Sequence, residues 1–111
     1  MVIVDYVDEN DKTLGSKDYD EVVRGNLTYR EVVVMVSNDA GEIFLRSDNG
    51  VWGTSLRGLL HEGEVYEDAA VRLLGDNYAK VKESALEFYS KDYLSNDDGT
   101  RRFLEIYKIK L

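Results

Sequence analysis

The stretch GLLHEGEVYEDAAVRLLGDN, Gly58 to Asn77, decides the reading of this chain. From Glu64 onward its apolar residues fall at helical spacing. Ala70 and Leu74, continued by Tyr78 and Val81, sit at i, i+4, i+8 and i+11, a stripe that predicts a helix facing a core. Gly75 interrupts that stripe, which predicts a stop there with Gly75 as a left-handed cap and Asp76-Asn77 in a turn. Two glycines, Gly58 and Gly63, precede the helix and allow a tight backbone path into it.

Strand signals dominate on either side. Val2 to Val7 is β-branched and apolar. Glu9 to Lys12 reads as a polar turn that Thr13-Leu14-Gly15 closes. Ser16 to Arg24 predicts a short helix, with Ser16 as its cap and Asp18, Asp20 and Glu21 in the first turn. Gly25-Asn26 ends it. Glu31 to Ser37 carries four valines and a methionine and reads as a strand buried on both faces. Asn38 to Gly41 predicts a hairpin turn, Glu42 to Arg46 its return strand, and Ser47 to Gly50 a further turn. Val51 to Leu56, with the single tryptophan Trp52, and Leu86 to Leu94 read as extended. Ser95 to Gly99 reads as a hairpin loop and Phe103 to Leu111 as the last strand. The sum, over residues 1–111, is one α+β domain: a mixed sheet with one principal helix and a minor one.

Composition narrows the function. The chain has 111 residues, 43% of them hydrophobic, enough for a modest single core. There is no cysteine, so no disulfide framework and no thiolate site, in keeping with a reducing cytoplasm. No apolar run reaches the ~18 residues of a membrane span, and the acidic N-terminus does not read as a signal peptide. A formal charge of −8 repels phosphate backbones and argues against a nucleic-acid polymer as partner. A single nucleotide or diphosphate held through a cation remains open, because the cation inverts the local charge logic.

The glycine, glutamate and arginine spacing then carries a resemblance. Gly58, five residues, Glu64, seven residues and Arg72 resemble the Nudix superfamily box, G-x5-E-x7-R-E-U-x-E-E-x-G-U, where U is apolar. Gly63, the Ala69-Ala70 pair and Leu74 also resemble it. The flanks agree: VDENDKTLG from Val7, LTYREVVVMVSNDAGEIFL from Leu27 and WGTS from Trp52 resemble the isopentenyl-diphosphate-isomerase-like branch. The resemblance implies a Nudix-like mixed sheet, here C-terminally shortened. It implies that Glu64 and Arg72 brace the loop against the helix. It also implies that Arg30 and Arg46 occupy positions where basic residues face substrate phosphates, although a solvated arginine at a strand end is the competing reading.

The second half of the box departs from that pattern. Where the family places a glutamate after the arginine, this chain has Leu73. The later glutamate pair is Asp76 and Asn77, and the positions of the last glycine and apolar residue hold Ala79 and Lys80. In the family those glutamates project from one helix face and hold Mg²⁺ or Mn²⁺ against a diphosphate, since hard cations want converging carboxylate oxygens. Leu73 cannot ligate, and Asn77 carries no charge. Asp76, with Glu67 and Asp68, forms the remaining candidate metal set, although acids in a first helical turn are favoured by the dipole without a metal. Any Mg²⁺ or Mn²⁺ is therefore expected to bind weakly. His61, the single histidine, reads as an ordinary loop residue.

Two function classes follow. One is a non-catalytic or weakly active Nudix-fold module that binds a nucleotide or diphosphate ligand or a protein partner. The other is a metal-dependent nucleoside-diphosphate-derivative hydrolase with a reduced carboxylate set. The altered ligand positions favour the first. Family members usually add a covering helix after the last strand, so the chain is expected to hide its apolar face by forming a homodimer. Phe88, Tyr89 and Tyr93 are expected to pack between strands, and Arg101-Arg102 to pair locally with Asp97 and Asp98.

Overall fold

The structure, a computed structural model, describes residues 2–37, 46–48, 51–53, 56–75 and 86–110. The element order is β1 (Ile3–Val7), β2 (Thr13–Asp18), α1 (Tyr19–Arg24), β3 (Thr28–Ser37), β4 (Arg46–Asp48), β5 (Val51–Gly53), β6 (Leu56–Leu59), α2 (Tyr66–Leu74), β7 (Leu86–Ser95) and β8 (Arg101–Lys110). Six strands form one mixed sheet in the order β2-β1-β3-β8-β7, with β6 also on β3. β4 and β5 form a separate two-stranded pair.

β3 is the axis of the fold. It runs parallel to β8 over its full length, from Thr28↔Arg101 to Ser37↔Lys110. Its other edge is shared: β1 touches it at Val7↔Thr28, and β6 pairs antiparallel from Glu31↔Leu59 to Val34↔Leu56. A strand flanked on both edges and packed on both faces favours apolar side chains, which Val32, Val33 and Val34 supply at its centre. Because side chains alternate, Val32 and Val34 face α2 while Tyr29 faces α1. The larger core joins Val32, Val34, Leu60, Ala69, Ala70, Leu74, Tyr107 and Ile109. A smaller one gathers Val4, Val22 and Tyr29 on the opposite face. Tyr19 meets the Tyr29 ring edge-on at 5.3 Å.

Several local expectations are corrected. Ser16 does not cap a helix: it lies in β2, paired with Asp5 of β1, and Thr13 to Gly15 is strand rather than turn. The ladder to β1 takes up these residues, and α1 begins only at Tyr19, where the Asp18 side chain accepts the Asp20 N–H at 2.9 Å. Ser47 and Asp48 belong to β4 rather than to a turn. The hairpin expected at Asn38 to Gly41, the return strand up to Leu45, and Tyr78 and Val81 lie outside the described residues.

On β7, Phe88 and Tyr93 pack against their cross-strand partners on β8, as expected, while the aromatic side chains stay half open. Phe88, Tyr89 and Tyr93 are 58%, 56% and 50% exposed. They pack sideways, Phe88 on Tyr107 and Tyr93 on Phe103, with Lys108 Nζ 4.2 Å from the Tyr89 ring centre. Arg102 adds its charge to the Thr100 hydrogen bonds that hold the Asp98 carboxyl low, but its ion pair goes elsewhere. Its Nε lies 3.2 Å from the Glu31 carboxylate on the neighbouring parallel strand. Glu31 is only 6% exposed, and Arg57 of β6 holds its other oxygen. A buried carboxylate needs such compensation, which the register supplies by placing Arg57 and Arg102 on strands either side of it.

Candidate functional site

The loop between β6 and α2 is stitched to the rest of the molecule by its backbone. Leu60 N–H donates to Arg30 O, Glu62 N–H to Ile3 O, and Gly63 N–H to Asp5 Oδ2 at 3.0 Å. Gly63 has φ +76°, a left-handed conformation that favours glycine, and a Cβ there would have free space. Gly58 is constrained by space instead: a Cβ would stand 2.8 Å from Leu73 Cδ2. The missing side chain lets α2 lie close on β6.

Glu64 and Arg72 close this loop onto the helix. Arg72 Nε donates to Glu64 Oε2 at 2.8 Å, and one Nη donates both to Glu64 Oε1 at 3.1 Å and to the Leu59 carbonyl at 2.8 Å. Glu64 Oε1 also accepts the His61 N–H at 2.7 Å. The Arg72 hydrogen bond, aided by that N–H, outweighs burial and holds the Glu64 carboxyl below its ordinary value. Bidentate charge-assisted pairing fixes the entry angle of α2, whose N-cap Val65 offers no side-chain cap of its own.

The distal end of α2 is different. The helix stops at Leu74. Gly75 caps the helix with φ 60°, the positive value expected of a glycine cap, while its ψ of −165° departs from the αL value; its N–H donates to Val71 O. Leu73 packs against the main core, and Leu74 is buried in it. Asp76 and Asn77 lie outside the described residues, as do Ala79 and Lys80; Arg46 begins β4, and its side chain is likewise outside them. Glu67 and Asp68 are exposed in the first turn of α2. Among the described residues, no group of three or more histidine, cysteine, aspartate or glutamate side chains converges as a metal site would require.

A second cluster, missed in the sequence, lies on the α2 face of the sheet. Asp11 of the β1–β2 loop is its centre, with its side chain 8% exposed. Asp11 Oδ1 accepts from Arg30 Nε at 2.8 Å, and its carbonyl accepts from an Arg30 Nη at 2.7 Å. Asp11 Oδ2 accepts from Tyr66 Oη at 2.8 Å and from Lys91 Nζ at 2.6 Å. Burial raises the Asp11 carboxyl, but the Lys91, Arg30 and Tyr66 donors outweigh it and hold the group below its ordinary value. Burial, with the hydrogen bond to Asp11, pushes the Tyr66 phenol far above its usual range. Lys91 also reaches Glu105 at 3.7 Å and lies over the Tyr66 and Phe103 rings.

Arg30 is thus not a solvated strand-end arginine. Its side chain is 14% exposed, and its remaining Nη bonds Thr13 Oγ1. The signal that could have revealed this was the polar DENDK turn facing an arginine on a buried strand. Beside the cluster lies an open cavity of about 590 Å³, lined by Val7, Asp8, Glu9, Thr28, Tyr93, Arg101 and Phe103. Phe103 belongs to both, since it lines the cavity and pairs in register with Arg30.

With this geometry in view, known proteins can be set beside it. An uncharacterized Nudix hydrolase of Pseudomonas aeruginosa is 24% identical over 112 residues, covering 95% of this chain and 65% of its own length. The crystal structure of a Deinococcus radiodurans protein superposes with a TM-score of 0.73 at 22% identity, covering 98% of this chain and 70% of that one. The solution structure of the same protein, described as a hypothetical Nudix protein, gives a TM-score of 0.54 at 20% identity, covering 99% and 68%. This chain has the Nudix fold. No protein-family model matches it. It spans 65% of the length of the curated relative it matches. The loop-to-helix clasp is built from Glu64 and Arg72, and α2 ends at Leu74. Among the described residues, no helix is long and apolar enough to cross a membrane.

Proposed function

We propose that this Nudix-fold protein binds a nucleotide or diphosphate-type ligand and has little or no capacity to hydrolyse it. The observation that carries this reading is the end of α2. Leu73 stands where the box has its first glutamate after the arginine, and it packs against the core. α2 then ends at Leu74, with Gly75 as its C-cap. Carboxylates must project from one helix face to share a cation, and a leucine at such a position supplies no ligand. Without a firmly held cation, the charge building on a departing phosphoryl group lacks its main stabiliser.

Ligand binding is supported by the cavity beside Phe103 and by the donors next to it. Tyr93 and Phe103, with ring centres 5.2 Å apart, offer an aromatic wall. Arg101 brings a cation to the cavity, and Arg30 and Lys91 stand on the same sheet face. Any Mg²⁺ or Mn²⁺ would bind weakly and assist a ligand phosphate rather than drive cleavage.

The test is incubation with Mg²⁺ or Mn²⁺ and a panel of nucleoside diphosphate derivatives. Binding of at least one member without phosphate-ester cleavage above the buffer rate is expected. Turnover that vanishes in Asp76→Ala would establish the opposite, a hydrolase working with a reduced carboxylate set.

A further inference from the structure

We propose that Asp11 is a built-in occupant of an anion site formed by Arg30, Lys91 and Tyr66, and that it yields this site to a phosphoryl group of a ligand entering the adjoining cavity. The inference rests on the ligand-binding reading above and adds a means of regulating it.

The first ground is convergence. Arg30 comes from β3, Lys91 from β7 and Tyr66 from α2, and all three donate to one carboxylate at 2.6 to 2.8 Å. A guanidinium, an ammonium and a phenol directed at one small anion are the donor set that recognises a phosphoryl oxygen cluster. The carboxylate that fills it is brought by a short surface loop rather than by a core element.

The second ground is the construction of that loop. Asp8 organises it internally: its Oδ1 accepts the N–H groups of Asn10 and Lys12, and its own N–H donates to Lys12 O. Among the described residues, the side-chain hydrogen bonds tying the loop to β3, β7 and α2 all end on Asp11, with Thr13 at its edge adding one to Arg30. Asp11 itself has φ 62°, a left-handed conformation that the surrounding contacts must hold. A self-braced loop fastened through one residue can leave as a unit.

The third ground is position. Asp8 and Glu9 of the same loop line the 590 Å³ cavity, and so does Phe103, whose ring centre lies 5.4 Å from Lys91 Nζ. A ligand resting on Tyr93 and Phe103 would bring its phosphoryl group to the donors Asp11 now occupies.

Charge balance then selects the ligand class. Arg30 and Lys91 face three acids, Asp11, Glu105 and the more distant Asp5 at 3.8 Å from Arg30. Exchange of Asp11 for a phosphoryl group with one negative charge leaves this balance unchanged. A free phosphate dianion would add a charge. The site therefore suits a phosphoryl group with an ester on one side and an anhydride on the other, as in a diphosphate diester, better than inorganic phosphate.

The experiment uses the full chain with ADP-ribose as the diphosphate diester and adenosine as the phosphate-free control. Calorimetric titration should show Asp11→Asn binding ADP-ribose about tenfold more tightly than the wild type, because the competing charge is gone. Adenosine should bind both proteins alike. In the wild type, ADP-ribose should speed amide exchange at residues 9–12 as the loop is released; this arm decides the matter if Asp11→Asn fails to fold. Wild-type binding with slowed or unchanged loop exchange, or with no gain in Asp11→Asn, overturns the exchange of anions but leaves the ligand-binding reading standing. Absence of ADP-ribose binding in both proteins overturns both.

Discussion

Two sets of residues at α2 do different work. Glu64, ahead of the first turn, and Arg72, in the last, form a bidentate clasp that also ties down the Leu59 carbonyl and the His61 N–H. Leu73 and Leu74, next in the chain, pack into the core, and Gly75 caps the helix. The charged pair orients the helix from its exposed side, and the leucines hold it from the buried side. The difference teaches that a charged clasp and an apolar seam together fix one short helix, whether or not any chemistry follows.

Substitutions can break this contrast or sharpen it. The largest effect is expected from Leu73→Ala, which opens a gap between α2 and Gly58 and should cost roughly 1–3 kcal/mol in chemical denaturation. If Leu73 were instead a vacant ligand position with no packing role, the loss would be negligible.

Arg72→Ala should cost somewhat less, about 1–2 kcal/mol, by leaving Glu64 and the Leu59 carbonyl without their partner. Its pH dependence sharpens the point. Glu64 is depressed from 4.5 by Arg72, so the clasp is fully formed above that pH and is lost as pH falls through the lower folded value. The stability gap between wild type and Arg72→Ala should therefore narrow as pH drops from 5 toward 3. A gap that stays constant across that range would show that Arg72 acts through packing alone.

The smallest effect belongs to Glu67→Gln and Asp68→Asn. Both residues are exposed acids in the first helical turn, and each change should cost about 0.3–1 kcal/mol through the helix dipole, less at high salt. A gain in stability on neutralising them would point to mutual repulsion between carboxylates gathered for a cation.

The sequence made the frame legible where local and long-range demands agreed. The valine run of β3, the periodicity of α2 and the glycine spacing each had one workable reading. The short N-terminal helix was placed too early, because Ser16, Asp18 and Asp20 all satisfy cap chemistry locally. Pairing with β1 claims Ser16 for the sheet, and that pairing is not visible in local propensity. The Asp11 cluster was missed for a related reason. Its members stand at positions 11, 30, 66, 91 and 105, and only the β3–β8 register and the antiparallel β7 bring them together. The same holds for Glu31, whose two arginine partners come from β6 and β8.

The most direct test of the central claim is titration with Mn²⁺ followed by the loss of its free-ion paramagnetic resonance signal. With Leu73 packed against the core instead of offering a ligand, the protein should leave millimolar-range Mn²⁺ essentially free, and Asp76→Ala should behave as the wild type. A saturable site of submillimolar affinity that disappears in Asp76→Ala would contradict the account.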